Sequence, residues 1–263
     1  MAVFFVMPFL YSLYYVFTDI DGAFTGVGNF TSTLGSKAFT TALKNTGVFL
    51  GICVPLNVVA SFFIASVLRK ARRKNALSLM FMLPLVIPSG AVVFFWRVLF
   101  DETGFINKLI LAAGGAPVIW LQSNWALMVV ILAFLVKNIG FNVVLFMAGF
   151  SAIPRDYYEI ALIEGANRFQ TFRTVTYVYM SPTTFLVFLM SIINSFKIFK
   201  EIYLLFGNYP FQSIYMLQHY MNNQFAAANM QKLSTAATML SVIIGLIVLV
   251  FFRMQKKVSD TFS

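Results

Sequence analysis

Residues 126–150 read ALMVVILAFLVKNIGFNVVLFMAGF, a run with a single charge, Lys137. As a helix, at about 1.5 Å per residue, such a run reaches across the roughly 30 Å hydrocarbon core of a bilayer. A soluble helix of this length would carry a polar face, and this one has none. Nor does it show the period-two alternation of a barrel strand. Five more stretches repeat the pattern, so spans are expected at about 1–17, 46–68, 76–100, 125–150, 183–199 and 236–252. The first is short and lacks the basic start of a signal peptide. The chain is therefore expected to begin inside a helix whose cytoplasmic start is missing. The fold class expected is an all-α, polytopic membrane helical bundle of about six transmembrane helices, with residues 1–263 as one domain.

Composition excludes the soluble alternatives. The chain is 60% hydrophobic and 11% charged, too little charge to cover a water-facing surface. A net charge of +10 raises the question of nucleic acid, but five cations crowd into RKARRKN directly after an apolar run. That is the juxtamembrane pattern of topogenic and lipid-headgroup signals, so membrane lipid is an expected partner and nucleic acid is not. One cysteine, Cys53, and one histidine, His219, supply neither a disulfide framework nor a multi-ligand metal site. Cys53 reads as a packed or lipid-facing residue. No G-x-x-x-x-G-K-[ST] loop occurs, so ATP is not expected to be hydrolysed by this chain. No nucleophile–base constellation can be assembled either, and no cofactor is expected.

Orientation follows from lysine and arginine. With six spans and both termini inside, the inner segments hold Arg69, Lys70, Arg72, Arg73, Lys74, Arg155, Arg168, Arg173, Arg253, Lys256 and Lys257. The outer segments and their helix ends hold Lys37, Lys44, Arg97, Lys108, Lys197, Lys200 and Lys232. The excess and the densest cluster fall inside, which places 157–175 in the cytoplasm.

That segment, YYEIALIEGANRFQTFRTV, is polar between two apolar runs. Pro154 suits a first helical turn, and Asp156 and Glu159 sit where the helix dipole favours acid. Tyr158, Ala161, Leu162 and Gly165 recur at spacings that share one helix side. Gly165 permits either a turn or the close approach of another backbone. A short helix, a break at Gly165-Ala166-Asn167 and a second short helix are expected. Two readings stand: an amphipathic helix on headgroups, with Arg168 and Arg173 toward anionic lipid, or a surface for a protein partner.

The segment resembles the EAA loop of permease subunits in bacterial binding-protein-dependent ABC importers. The family pattern is Glu-Ala-Ala, three residues, Gly, nine residues, then Ile-x-Leu-Pro. Glu159, Ala161 and Gly165 match and Val175 stands for the isoleucine. Ile160 replaces the middle alanine, and Tyr177-Val178 replace Leu-Pro. FTGVGNF, LPLVIPSGAVVFFWRVLFDETGFIN, WLQSNWALMVVILAFLVKNIGFNVVLFMAGFSAIP and INSFKIFKEIYLLFG are similar to the carbohydrate branch, the maltose and glycerol-phosphate type. The resemblance implies a coupling loop at about 151–176 whose helix after Pro154 docks on an ATPase. Glu159, Ala161, Gly165 and Arg168 are then the coupling residues. It also implies a second permease subunit, two ATP-binding subunits that hold ATP and magnesium, and an extracytoplasmic solute-binding protein. The implied location is the bacterial cytoplasmic membrane.

Polar residues within the spans complete the list. Lys137, Asn138 and Asn142 lie deep in the fourth span, and Ser191, Asn194 and Lys197 recur every three residues in the fifth. A central lysine costs roughly 2.5–3.5 kcal/mol to insert, so it should face the bundle interior or a watery cavity. Interhelical hydrogen bonding explains any one of these amides. Taken together, Lys137, Asn138, Asn142, Asn194 and Lys197 are expected to line a translocation path, since sugar hydroxyls match amides. The alternatives are an importer of a non-sugar solute or an ion-coupled secondary transporter. The latter needs acids inside spans, and none of the nine lies mid-span. Gly47 and Gly51 read as close packing within the subunit, Pro84 and Pro88 as kinks, and Asn29-Phe30-Thr31 as an accidental sequon. The stretch 200–235 is expected to carry an outer-face helix, and the tail from Arg253 onward to be a solvated end.

Overall fold

The structure is a computed structural model. It describes residues 2–262, with backbone alone for Ala2, Val3, Phe5, Asn75 and 257–262. Met1, which opens the first expected span, and the side chain of Lys257 lie outside the described residues. The described residues are mostly helical. α1 (Ala2–Phe17), α2 (Gly28–Leu34), α3 (Lys37–Leu68), α4 (Lys74–Val86), α5 (Ser89–Phe100) and α6 (Phe105–Ala112) precede α7 (Ala126–Ala152). α8 (Arg155–Ile163), α9 (Arg168–Thr171), α10 (Tyr177–Lys197), α11 (Phe199–Phe206), α12 (Leu217–Ala226) and α13 (Met230–Phe262) follow. Among the described residues the only β-pairing is an isolated bridge between Thr18 and Phe24.

Four helical stretches are long and apolar enough to cross a membrane: Lys37–Leu68, Ala126–Ala152, Arg168–Phe206 and Met230–Lys256. The expected span at 76–100 is not one helix. α4 and α5 part by 91° at Ile87-Pro88. Ile87 is extended (ψ 128°), as the residue before a proline prefers, and Pro88 has no N–H to continue the ladder. Pro84 lies inside α4 without ending it. The expected first span contains a shorter apolar helix, Val6–Phe17. α3 begins at Lys37 rather than near residue 46, because Phe39 and Ala42 are buried and extend its apolar face past Lys44 and Asn45. α13 likewise runs to Phe262, so the end expected to be solvated continues the last helix.

Two compact units divide the chain, with boundaries inside α3, α7 and α13. One comprises 1–49, 89–130 and 198–246. Its core gathers Phe39, Ala42, Leu217, Tyr220 and Ala236. Buried polar side chains tie its loops by filling backbone groups. Asn107 Nδ2 donates to the carbonyls of Asp101, Glu102 and Val118, while its Oδ1 accepts from Val118 N and Trp120 Nε1. Asn29, read above as an accidental sequon, is a structural residue: its Nδ2 donates to the carbonyls of Tyr15, Val16 and Thr18. α11 and α12 occupy the stretch expected to carry an outer helix, and buried His219 of α12 accepts from Met216 N through Nδ1.

The other unit comprises 50–88, 131–197 and 247–263. Its core joins Ala65 and Leu68 of α3 to Val143, Phe146 and Phe150 of α7 and to Met180 and Val187 of α10. The glycines that permit close packing are not the ones expected. A Cβ at Gly47 or Gly51 would meet nothing within 4 Å, whereas one at Gly140 would stand 1.7 Å from the Phe81 carbonyl oxygen. At Gly149 it would stand 2.5 Å from Thr183 Oγ1. α7 therefore touches α4 and α10 through missing side chains.

Candidate functional site: the polar loop and the buried amides

After α7 the chain turns at Ile153 and enters α8 at Pro154, whose ψ of 140° sets the N-terminal boundary. Asp156 occupies the first turn of α8, where the dipole favours it. α8 closes in a Schellman reversal. Gly165 adopts φ +75°, its N–H donates to the Leu162 carbonyl, and Ala166 N–H donates to the Ala161 carbonyl. Two residues on, Asn167 caps α9 in a reciprocal box: its Oδ1 accepts from Phe169 N and Gln170 N, and Gln170 Oε1 accepts from Asn167 N. The expected break at Gly165-Ala166-Asn167 is thus the observed one. The second helix is not separate, however. α9 passes through a π-helical turn, Phe172–Thr176, straight into α10. That turn covers the part of the loop where Val175 stands for the family's isoleucine.

The shared face expected for Tyr158, Ala161, Leu162 and Gly165 splits. Ala161 is 6% exposed and packs with Tyr158 and Ala166 into the unit's own core. Leu162 and Ile163 are 74% and 86% exposed, and Ile160 and Phe169 are exposed as well. Gly165, Glu159 and Arg168 are exposed too. The loop is therefore seated by Tyr158 and Ala161 and presents Ile160, Leu162, Ile163 and Phe169 outward. Tyr158 is the seat's polar anchor, a role the sequence did not mark. Its hydroxyl accepts from Arg69 Nη1 at 3.3 Å and lies 3.2 Å from Thr176 Oγ1, and the Arg69 guanidinium stacks 4.5 Å over the Phe150 ring.

The amides expected in a path lie in the same unit and are not alike. Asn142 is fully buried and donates to Ser191 Oγ at 2.9 Å, joining α7 to α10, while its Oδ1 has no hydrogen-bond partner. Asn138 is buried and donates to the Phe134 carbonyl of its own helix. Lys137 and Asn194 are half-buried, and Lys197 is exposed as the last residue of α10. Sequence reading missed Asn57 and Ser61, a buried pair in α3. Ser61 Oγ lies 3.3 Å from both Asn57 Oδ1 and the Ile139 carbonyl, and Asn57 Nδ2 has no hydrogen-bond partner. Their spacing of four in an apolar run was the available signal. Glu201 was missed too: it is buried in the first turn of α11, where its Oε1 accepts from Ser89 Oγ at 2.9 Å.

Residues 57–261 match the family described as binding-protein-dependent transport system inner membrane component. The chain belongs to this family. This permease is a multi-pass membrane protein and a subunit of an ABC importer, distinct from the ATP-hydrolysing subunits. It is 30% identical to the probable ABC transporter permease protein YesP of Bacillus subtilis, over 94% of this chain and 84% of that one. It is 29% identical to the arabinooligosaccharides transport system permease protein AraP of the same organism, over 99% and 85%. The crystal structure of a bacterial alginate ABC transporter in complex with an alginate pentasaccharide-bound periplasmic protein contains a chain of the same fold. The TM-score is 0.82 at 19% identity, covering 98% of this permease and 90% of that chain.

Proposed function

We propose that this permease forms part of the translocation path for a carbohydrate and is driven through α8. The observation that carries the reading is the apolar surface of Ile160, Leu162, Ile163 and Phe169, exposed on a loop that its own core already holds in place. Such a patch rimmed by Glu159, Glu164 and Arg168 has the make-up of a protein-docking site. The partner proposed there is a cytoplasmic ATP-binding subunit, one of two, which holds ATP and magnesium. A second permease subunit and an extracytoplasmic solute-binding protein complete the complex, and both termini of this chain are cytoplasmic. The carbohydrate assignment is supported by AraP, named for arabinooligosaccharides, and by the lactose transport system permease protein LacF of Rhizobium radiobacter, 29% identical over 77% of this chain and 70% of that one. Asn142, Asn138 and Asn194, with Lys137 and Lys197, are the proposed path groups. In the conformation described, the Asn142 Oδ1 is unpartnered but shut away from solvent, so the proposed path has to open before a sugar hydroxyl can reach it.

Gly165 tests the coupling. A Cβ there meets nothing within 4 Å of the chain itself, but the φ of +75° strains any β-branched residue by about 1–3 kcal/mol. Asn tolerates this backbone and adds bulk only toward a partner. Gly165→Val and Gly165→Asn are expected to insert in the membrane and pair with the second permease. Both should then lose co-purifying ATP-binding subunits and uptake, Val more severely than Asn. Normal uptake with ATP-binding subunits retained in the Val variant would assign the loop to the lipid headgroups instead.

A further inference from the structure

We propose that the groove between the end of α3 and the 158–176 loop binds the headgroup of an anionic phospholipid. The groove is open and holds about 730 Å³, within the range of roughly 300–1,000 Å³ typical of small-molecule sites. Three cations line it, Arg69, Lys70 and Arg168, and none of its lining residues is acidic. Half of the remaining wall is aromatic, including Phe62, Phe63 and Phe172. Phe63 and Phe172 are exposed on the unit's surface.

The arrangement is graded along α3. The apolar run ends at Leu68, and Arg69 and Lys70 follow at once, which sets the cations at headgroup depth and Phe63 at the depth of the first acyl methylenes. Arg69 is held for the task. Its stacking on Phe150 and its bond to Tyr158 fix the guanidinium, and a fork of five donors has more to offer than that one bond uses. A free phosphate would use the cations and leave the aromatic wall unused. A neutral lipid would do the reverse. An anionic phospholipid uses both, and basic pockets between membrane helices recognise lipid headgroups in this way.

The test uses the purified full chain in nanodiscs of phosphatidylcholine with a minor fraction of phosphatidylglycerol, with retained lipid counted by native mass spectrometry. The double variant Arg69→Gln/Lys70→Gln is expected to retain phosphatidylglycerol roughly 25-fold less, at about fivefold per surface charge. Arg72→Gln/Arg73→Gln, an equal charge loss outside the groove lining, is expected to retain it as the parent does. Arg69 also clasps Tyr158, so a second variant spares both cations. Ser66→Trp fills the groove at a half-buried residue whose hydroxyl bonds only to its own helix, and it should lower retention as well. Equal retention in the two charge doubles would assign the effect to surface charge in general and overturn the site. So would full retention in Ser66→Trp, or complete displacement of the lipid by millimolar inorganic phosphate. The readout is bound lipid rather than uptake, so its failure is separate from failure of the coupling assignment.

Discussion

His219 is fully buried against Phe199 and Tyr215, and burial pushes its imidazole down to about 4 from an ordinary 6.5. Its Nδ1 accepts the Met216 N–H, so the neutral ring is the form that fits. Between pH 6.5 and 4 the unfolded chain then binds more protons than the folded one, and stability falls as pH is lowered through that window. The loss amounts to on the order of 3 kcal/mol by pH 4. His219→Gln keeps an acceptor without titrating there. Thermal unfolding of purified permease at pH 7, 5.5 and 4.5 should show a shallower acid slope for the Gln variant. An unchanged slope would place the acid sensitivity elsewhere. At this scale the sequence was legible only in part. That His219 lies outside the spans could be read from the apolar runs, but its burial depends on α12 folding against α3 through Leu217 and Thr46, a contact between residues 171 apart. Asn29 and Asn107 were equally opaque, since nothing local distinguishes an asparagine that ties loops from one in water.

At the scale of helices, α7 is packed by its glycines. A Cβ at Gly140 collides with the Phe81 backbone, which cannot give way as a side chain would. Gly140→Ala is expected to cost about 3 kcal/mol or more through overpacking, and to reduce folded protein sharply in fluorescence-detected size exclusion. Gly47→Ala should be neutral to stabilising by about 0.5–1 kcal/mol, since alanine gains helix propensity and meets nothing. If Gly140→Ala folds as well as Gly47→Ala, the close crossing of α7 and α4 is wrong. The GxxxG spacing pointed to the wrong pair, because spacing reports a helix face and not whether a neighbour lies against it. The loop was more legible. A positive φ at Gly165 and an N-cap at Asn167 are written in residue chemistry that acts over three or four positions. The split of the α8 face was not, because Tyr158 and Ala161 turn inward only when Arg69, Phe150 and Val175 are there to receive them.

For the molecule as a whole, the excess of lysine and arginine at 69–74 and 155–173 predicts a cytoplasmic loop and an outer 101–124. Cysteine placed at exposed Asn124 should be labelled in intact cells by an impermeant maleimide, and cysteine at exposed Thr174 only after permeabilisation. The native Cys53 is buried and contributes little background. Labelling of Thr174 but not Asn124 in intact cells would invert the orientation, and equal labelling of both would overturn the topology. The apolar stretches were legible because lipid demands length and apolarity together, but their number was not: six spans were expected, and among the described residues four helices, or five with the bent pair counted as one, are long and apolar enough. The interruption at Pro88 was legible as a location but not as a 91° departure, since proline removes a hydrogen bond without choosing a new direction. The tie between Ser89 and Glu201 carries one more consequence, in time. Those residues are 112 positions apart, and synthesis at about 5–20 residues per second separates their emergence by on the order of 10 seconds. For that interval α5 leaves the ribosome without α11, the helix it packs against. During that interval newborn α5 is a stretch that insertion factors must shelter and quality-control proteases can reach.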